Sequence, residues 1–138
     1  MEKKEINFNK SISIIIPLHN KEATILLTLD KLRSDLKNVH YEIVIIENGS
    51  SDNSYSVTKN WCNNNSDVKT KLIKSEIGLG NAIKEGIKNS NNEYVWTVSP
   101  DMQFGISDFI SFTENYDSEI SIYVGSRLHK NSKVVRSG

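Results

Sequence analysis

The sequence contains only one cysteine and two prolines in 138 residues. It also lacks the features that are typical of a secreted or a membrane protein. A lone Cys62 excludes an internal disulfide and a cysteine-based zinc cluster, and it suits a reducing compartment. No apolar run is long enough to span a bilayer, and the first residues lack the apolar core of a signal peptide. The sequence therefore predicts a cytoplasmic chain without a transmembrane segment.

The chain also lacks an excess of charge of either sign. Lys plus Arg and Asp plus Glu both number 17, so no overall field favours nucleic acid or an anionic membrane. Any anionic ligand would have to be held by a local group of residues. A length of 138 residues suffices for a core, and no repeat or linker divides the chain. We therefore predict a single domain, residues 1–138.

Apolar runs alternate with segments of helical periodicity along the chain. The runs are typical of buried strands and lie at 11–16, 41–46, 68–74, 94–98 and 120–124. We expect Pro17 and Pro100 to close the first and fourth runs, because proline cannot donate to a sheet ladder. The order of elements predicts an α/β fold, with a Rossmann-like and mostly parallel sheet of about five strands and helices on both faces.

Four helical segments separate these runs. The first extends from Asn20 to about Lys37, and the second would bury Trp61. The third opens at Gly78 and places a set of small and apolar residues on one face: Leu79, Ala82, Ile83, Gly86 and Ile87. The fourth would begin near Ser107.

The loops that follow the strands carry most of the residues that could perform chemistry. In a parallel sheet such loops meet along one edge. They are Pro17-Leu18-His19-Asn20, Glu47-Asn48-Gly49-Ser50, Gly78-Leu79-Gly80, Ser99-Pro100-Asp101-Met102-Gln103 and Gly125-Ser126-Arg127. Glycine turns and helix N-termini offer N–H groups to phosphate, arginine binds phosphate bidentately, and carboxylate oxygens suit Mg²⁺ or Mn²⁺. Together these loops predict a site for a nucleoside diphosphate and a divalent ion.

Each loop alone also has a plain structural explanation. The glycines around Leu79 suit a tight turn, and a G-x-G-x-x-G dinucleotide motif would need a third glycine where Ile83 stands. Asp101 alone fits a Pro-Asp turn, and Glu47 alone fits a solvated strand end. The order of the loops along the chain is what favours a ligand site.

In that order the segments resemble those of family 2 glycosyltransferases of the GT-A fold, most closely the polyprenyl-phosphate (dolichol-phosphate) hexosyltransferase branch. The resemblance extends from Ile12 to about Ser137. It rests on five segments: Ile14–Glu22 for the opening strand and Pro-Ala-Tyr-Asn-Glu turn, Ile45–Asp52 for Val-Asp-Asp-Gly-Ser-x-Asp, Gly78–Ala82 for Gly-Leu-Gly-x-Ala, Ser99–Gln103 for the Asp-x-Asp metal motif, and Val124–Arg127 for Gly-Ser-Arg.

The resemblance implies hexosyl transfer from a UDP- or GDP-sugar to a polyprenyl-phosphate or glycan acceptor, with Mg²⁺ or Mn²⁺ as cofactor, at the cytoplasmic face of a membrane. The implied donor-binding residues are Pro17, Leu18, His19, Glu22, Glu47, Asn48, Gly49, Gly80, Ser99, Pro100, Asp101, Arg127 and Arg136. Asp101 is the implied catalytic residue, and Asp101 and Gln103 are the implied metal ligands.

The chain departs from the family pattern at several places. Ser99 stands where the first aspartate of the metal motif is usual, which weakens the expected metal site, and Asn48 replaces the second aspartate of its turn. The chain ends near Gly138, so we expect the nucleotide-binding half without the acceptor-binding part. The alternative is a non-catalytic sugar-nucleotide-binding partner or sensor on the same fold. An open sheet edge gives the further expectation of a homodimer, and no nucleic acid is expected as partner.

Overall fold

The structure, a computed structural model, describes residues 10–101, 122–124 and 133–135. The strands of this part are β1 (Ser11–Leu18), β2 (His40–Glu47), β3 (Thr70–Lys74), β4 (Tyr94–Thr97), β5 (Ile122–Val124) and β6 (Lys133–Val135). Its helices are α1 (Ile25–Asp35), α2 (Ser54–Asn64) and α3 (Leu79–Lys88). Among these residues, no helix combines the length and apolar character needed to cross a membrane.

The strands form one sheet in the order β3-β2-β1-β4-β5-β6. Neighbouring strands from β3 to β5 pair in parallel, and β6 pairs antiparallel with β5. This confirms the predicted α/β fold with a mostly parallel sheet. The sixth strand was not predicted, because its three residues lie in a polar, basic segment without a clear hydrophobic pattern. The helix predicted near Ser107 lies outside the described residues.

The strand order places a topological switch point between β1 and β4. From β1 the chain adds β2 and β3 on one side, and it then returns to add β4 and β5 on the other side. The next strand after β1 therefore lies on one side of the β1–β4 pair, and the next strand after β4 lies on the other. In open α/β sheets a crevice forms at such a point, outside the carboxyl ends of the two strands.

The strand β1 continues through Pro17 to Leu18, so the prediction that Pro17 closes the strand was wrong. Pro17 pairs in register with Ile46 of β2, but its nitrogen faces the β4 side, as does that of Ile15. The last rung on that side joins the N–H of Val98 to the carbonyl of Ile15 at 2.9 Å. The next rung would need N–H groups from Pro17 and Pro100, which have none, so β1 and β4 separate there.

Both faces of the sheet are covered by helices. On one face α1 and α2 pack against alternate residues of the central strands, with Ile14, Leu29 and Trp61 among the buried side chains. On the other face α3 packs against Ile15 and its neighbours through Ala82. Burial from both sides explains why the strands appear in the sequence as continuous apolar runs.

The helix α3 does not bury all of its predicted face. Ala82 and Gly86 are buried, but the side chains of Leu79 and Ile87 are 66% and 40% exposed. Leu79 is the first residue of α3, and its side chain is left largely in solvent. The small residues in the middle of the helix let it approach the sheet closely.

Replacing Gly86 by alanine is expected to lower the free energy of unfolding by about 1–3 kcal/mol, because an added Cβ would collide with the side chain of Ile15. Gly80→Ala in the same helix is the matched control. Outside the adjacent residues and the helix's own backbone, no atom lies within 4 Å of a Cβ added there, so that variant is expected to gain about 0.5 kcal/mol. Urea unfolding measures both. Equal free energies of unfolding for the two variants would contradict the close packing of α3 against Ile15 of β1.

At the amino-terminal edge of the sheet, Glu42 is a buried carboxylate, 1% exposed, among polar groups of neighbouring segments. Its Oε2 accepts the hydroxyl of Ser13 at 2.5 Å and the N–H of Asn91 at 2.7 Å, and Nζ of Lys71 lies 3.5 Å from Oε1. Burial alone would raise the pKa of Glu42, but these donors and the charge of Lys71 hold it below its ordinary value. The carboxylate joins β1, β2, β3 and the segment before β4.

Candidate functional site

The loop after β1 replaces the first turns that we predicted for the first helix. The prediction began at Asn20, whereas α1 begins at Ile25. Asn20 has a φ of 51°, in the left-handed region that asparagine tolerates better than most residues. Its side-chain oxygen accepts the N–H of Ser51 at 2.7 Å and that of Asp52 at 3.3 Å. Asn20 therefore holds the neighbouring loop, and the helix starts only after it.

Several hydrogen bonds join the loop at 20–22 to the loop at 50–54, and we call this set the loop clasp. Besides those of the Asn20 side chain, four bonds of 2.9–3.2 Å run from a backbone N–H of one loop to a side-chain oxygen of the other: Asn20 to Ser50, Lys21 to Ser54, Glu22 to Asp52 and Asn53 to Glu22. The clasp fixes the backbone after β1 against the start of α2.

The carboxylate of Asp52 is a further hydrogen-bond acceptor of the clasp. It accepts the hydroxyl of Ser54 at 2.5 Å and the backbone N–H groups of Ser54 and Glu22 at 2.9 and 3.2 Å. The hydroxyl bond of Ser54 lowers the pKa of Asp52, and the two backbone bonds lower it further. These donors therefore stabilise the ionised form of the Asp52 carboxylate.

Glu47 places a second carboxylate at the end of β2, where only 7% of the residue is exposed. It accepts the N–H of Ser50 at 2.7 Å and that of Gly49 at 3.2 Å. Gly49 has a φ of 83°, and the side chain of Ile77 lies where a Cβ would be, so only glycine fits this turn. The turn fixes the direction of the Glu47 carboxylate.

The side chain of Asn48 joins the end of β2 to the loop before α3. Its Nδ2 donates to Ser75 Oγ and to the carbonyls of Glu76 and Gly78, at 2.7, 2.7 and 3.1 Å. Its Oδ1 accepts the N–H of Gly78 at 2.9 Å. Asn48 is 6% exposed, so these bonds are shielded from water. The amide acts mainly as a donor, which a carboxylate at this position could not do.

The backbone of Asn48 extends the same connection to the loop after β1. Its N–H donates to the carbonyl of Leu18 at 2.8 Å, and its carbonyl lies 2.8 Å from Nδ1 of His19, which donates to it. The end of β1 and the end of β2 are thus held side by side.

Asp101 lies across the switch point from Lys21. The hydroxyl of Ser99 donates to Oδ1 of Asp101 at 2.5 Å, and Nζ of Lys21 lies 3.9 Å from Oδ2. The side chains of Lys21 and Asp101 are 41% and 17% exposed. An ammonium and a carboxylate therefore face each other across the switch point.

The backbone next to Asp101 is tied to the start of α1. The carbonyl of Pro100 accepts the hydroxyls of Thr24 and Thr28 at 2.9 and 3.2 Å. Pro100 is buried, and these two bonds fix the direction in which the chain leaves β4. The position of Asp101 is set by neighbours on both sides of the switch point.

The remaining predicted site residues differ in accessibility. Pro17 is half-buried, Leu18 is fully buried in the core, and His19, Glu22 and Gly80 are exposed. The predicted residues Gln103, Arg127 and Arg136 lie outside the described residues. The described loops do meet at one edge, but the roles assigned to individual residues remain predictions.

The described residues fit a divalent ion poorly. Within the described ranges, no group of three or more His, Cys, Asp or Glu side chains could hold a metal. Asp101 brings one negative charge, accepts a hydrogen bond from the hydroxyl of Ser99 and faces the ammonium of Lys21. Mg²⁺ and Mn²⁺ prefer several oxygen ligands without a cation beside them. The metal roles of Asp101 and Gln103 stay predictions.

Three residues that shape the site were not predicted: Lys21, Thr24 and Ser54. One signal for Lys21 was present in the sequence: Lys21 lies in the loop after the first strand, and Asp101 lies in the loop after the fourth. That signal becomes informative only once β1 and β4 are known to be neighbours.

Comparison with known proteins gives consistent matches. The sequence profile described as Glycosyl transferase family 2 matches residues 13–137. The dolichyl-phosphate beta-glucosyltransferase of Dictyostelium discoideum is 29% identical over 146 residues, which cover 94% of this chain and 43% of that protein. This chain therefore spans less than half the length of that curated relative.

Two solved structures are similar in fold. A mannosyltransferase from Pyrobaculum calidifontis in complex with GDP-Man and Mn²⁺ has a TM-score of 0.59 at 20% identity, covering 72% of this chain and 31% of that one. A glucosyl-3-phosphoglycerate synthase from Mycobacterium tuberculosis in complex with UDP has a TM-score of 0.53 at 19% identity, covering 68% of this chain and 35% of that one.

Proposed function

Since this chain belongs to glycosyl transferase family 2, we propose that it forms the donor-binding part of a glycosyltransferase that uses a UDP- or GDP-hexose. Its fold is the GT-A type that the resemblance implied. The observation that carries the proposal is the meeting of the clasped loops, Glu47 and Asp101 around one switch point. The proposed acceptor is a polyprenyl phosphate or a glycan, in line with a relative named for dolichyl phosphate.

The proposed position of the nucleoside is beside Glu47. Its carboxylate already accepts two backbone N–H groups, and a carboxylate has about four acceptor positions, so it has capacity for a base N–H. Uracil N3–H would suit this acceptor, and so would the N1–H and amine of guanine. The choice between UDP and GDP is therefore left to experiment.

The proposed position of the diphosphate is at the crevice between β1 and β4. Negative charge develops on the departing diphosphate during glycosyl transfer, and preorganised cationic groups stabilise it. We assign Asp101 to the orientation of such groups, and Arg127 and Arg136 to the phosphates. A phosphate acceptor is already ionised near neutral pH, so transfer to it needs no strong general base.

Calorimetric titration with UDP and with GDP tests the donor site. One of the two is expected to bind with a Kd between about 1 μM and 1 mM, the range usual for enzyme substrates. Glu47→Gln is expected to weaken that binding about tenfold, as loss of one charge-assisted hydrogen bond would. Glu93→Gln is the matched control, because Glu93 is exposed at the amino-terminal edge. If neither UDP nor GDP binds, the proposed donor site is contradicted.

A second candidate function is a non-catalytic sugar-nucleotide-binding partner or sensor. The single carboxylate at Ser99–Asp101 favours it, since Ser99 brings no charge to the site. Transfer of labelled hexose to a polyprenyl phosphate, measured on the product of the complete reading frame, separates the catalytic from the non-catalytic function.

We further propose that the glycosyltransferase forms a homodimer through an open sheet edge and acts at the cytoplasmic face of a membrane.

A further inference from the structure

We propose that the ammonium group of Lys21, oriented by Asp101, binds the diphosphate of the donor at the carboxyl ends of β1 and β4. Its positive charge takes the place of the divalent ion that would otherwise be needed there. The inference rests on the proposed function, because it concerns the diphosphate of the same donor.

The backbone of Lys21 is fixed while its side chain remains accessible. Its N–H donates to Ser54 Oγ at 2.9 Å within the loop clasp, between the clasp bonds of Asn20 and Glu22. The side chain is 41% exposed and reaches over the switch point toward Asp101. An ammonium has three N–H donors, so one carboxylate neighbour leaves capacity for phosphate oxygens.

The arrangement around Asp101 suits a cationic side chain better than a metal ion. The hydroxyl of Ser99 donates a hydrogen bond to one carboxylate oxygen at 2.5 Å, and Nζ of Lys21 lies 3.9 Å from the other. A divalent ion bound to Asp101 would lie close to that ammonium, and like charges at such distances repel. The carboxylate thus has a role without a metal, which is to hold the ammonium of Lys21 at the switch point.

The net charge of the site also indicates that Lys21 takes the place of a metal ion. Asp101 and Lys21 contribute one charge of each sign, so the described pair is neutral by itself. An aspartate at position 99 would leave the site with one net negative charge, which a divalent cation would offset. Ser99→Asp should therefore create a metal requirement, and Lys21→Gln should remove the built-in cation.

Titration of the whole chain with UDP and GDP, in EDTA and in Mn²⁺, tests the inference. For the nucleotide that binds, the Kd is expected to differ less than about threefold between the two conditions. Lys21→Gln is expected to weaken binding in EDTA by about tenfold to a hundredfold, as loss of a charged hydrogen bond would. Lys37→Gln, an exposed lysine just past the end of α1, is the matched control and is expected to bind normally.

Two further variants keep the test decisive if Lys21→Gln perturbs the loop. Lys21→Arg keeps the charge and is expected to bind within about fivefold of the original chain in EDTA. Ser99→Asp is expected to bind more than about tenfold tighter in Mn²⁺ than in EDTA. Thermal unfolding of each variant reports whether it is folded.

The possible failures are distinct. Binding by the original chain that is more than about tenfold stronger with Mn²⁺ would overturn the inference while leaving the donor site intact. Unchanged binding by folded Lys21→Gln would do the same. Absence of binding by UDP and by GDP in both conditions would instead overturn the proposed function, and the inference with it.

Discussion

Replacing Glu42 by leucine is expected to lower the free energy of unfolding by about 3–5 kcal/mol, the usual result of removing one partner of a buried charged network. The change leaves the hydroxyl of Ser13, the N–H of Asn91 and the ammonium of Lys71 without the carboxylate they share. Leucine has a similar volume, so the loss comes from unmet polar groups and not from a cavity. Urea unfolding at pH 7 measures the effect.

Glu93→Leu is the matched control, because it makes the same change at an exposed side chain of the same edge. Glu93 lies 3.9 Å from Lys10, and such surface pairs contribute about 0–1 kcal/mol. A double-mutant cycle with Ser13→Ala isolates the shared hydrogen bond. A loss below about 1 kcal/mol in Glu42→Leu would show that the network is not stabilising.

The same carboxylate gives a pH dependence with a definite sign. The pKa of Glu42 is lowered in the folded chain, so its stabilisation is complete above the ordinary carboxyl pKa, near 4.3, and is lost as the pH falls through the lowered value. Asp52 beside Ser54 and Asp67 beside Arg33 have lowered pKa values too and titrate in the same direction. In the Glu42→Gln variant the free energy of unfolding should therefore fall less steeply with decreasing pH. It should still fall, because Asp52 and Asp67 continue to titrate.

Replacing Asn48 by aspartate is expected to cost about 2–4 kcal/mol of folding free energy, since it breaks a buried hydrogen-bond network. A carboxylate could still accept the N–H of Gly78, but it could not donate to Ser75. It would also face the carbonyls of Glu76 and Gly78 at the present 2.7 and 3.1 Å, where it would be repelled. Urea unfolding at pH 7 measures the loss.

Asn60→Asp is the control, since it makes the same change on the exposed face of α2. It should alter stability by no more than about 0.5 kcal/mol. If Asn48→Asp proved as stable as this control, the loop before α3 would have to be held by other contacts. Nucleotide affinity gives a second measure, because Asn48 is next to Glu47 and a displaced turn would misdirect its carboxylate.

The strands could be predicted from the sequence because burial on both faces leaves continuous apolar runs. The boundaries that failed are those set by long-range contacts. Pro17 stays within β1 because its nitrogen faces a place where β4 has ended, which depends on strand order. Asn20 interrupts the first helix because its side chain bonds a loop 31 residues away. Local periodicity carries no information about either.

The site could be predicted as a set of loops but not as a set of contacts. The order of the segments correctly predicted that Glu47 and Asp101 lie at the same edge of the sheet. It did not show that the side chain of Asn48 is engaged by the loop before α3, or that Lys21 faces Asp101. Both depend on which loops lie side by side, and that is a property of the sheet order.

The loop clasp has a consequence for the thermodynamics of recognition. Loops that surround a binding crevice are often mobile, and a ligand then loses affinity because it must order them. Here the chain after β1 and the chain before α2 are already ordered by bonds between backbone N–H groups and side-chain oxygens. The entropy of these loops is lost during folding, so a ligand that binds at this edge meets a preorganised surface.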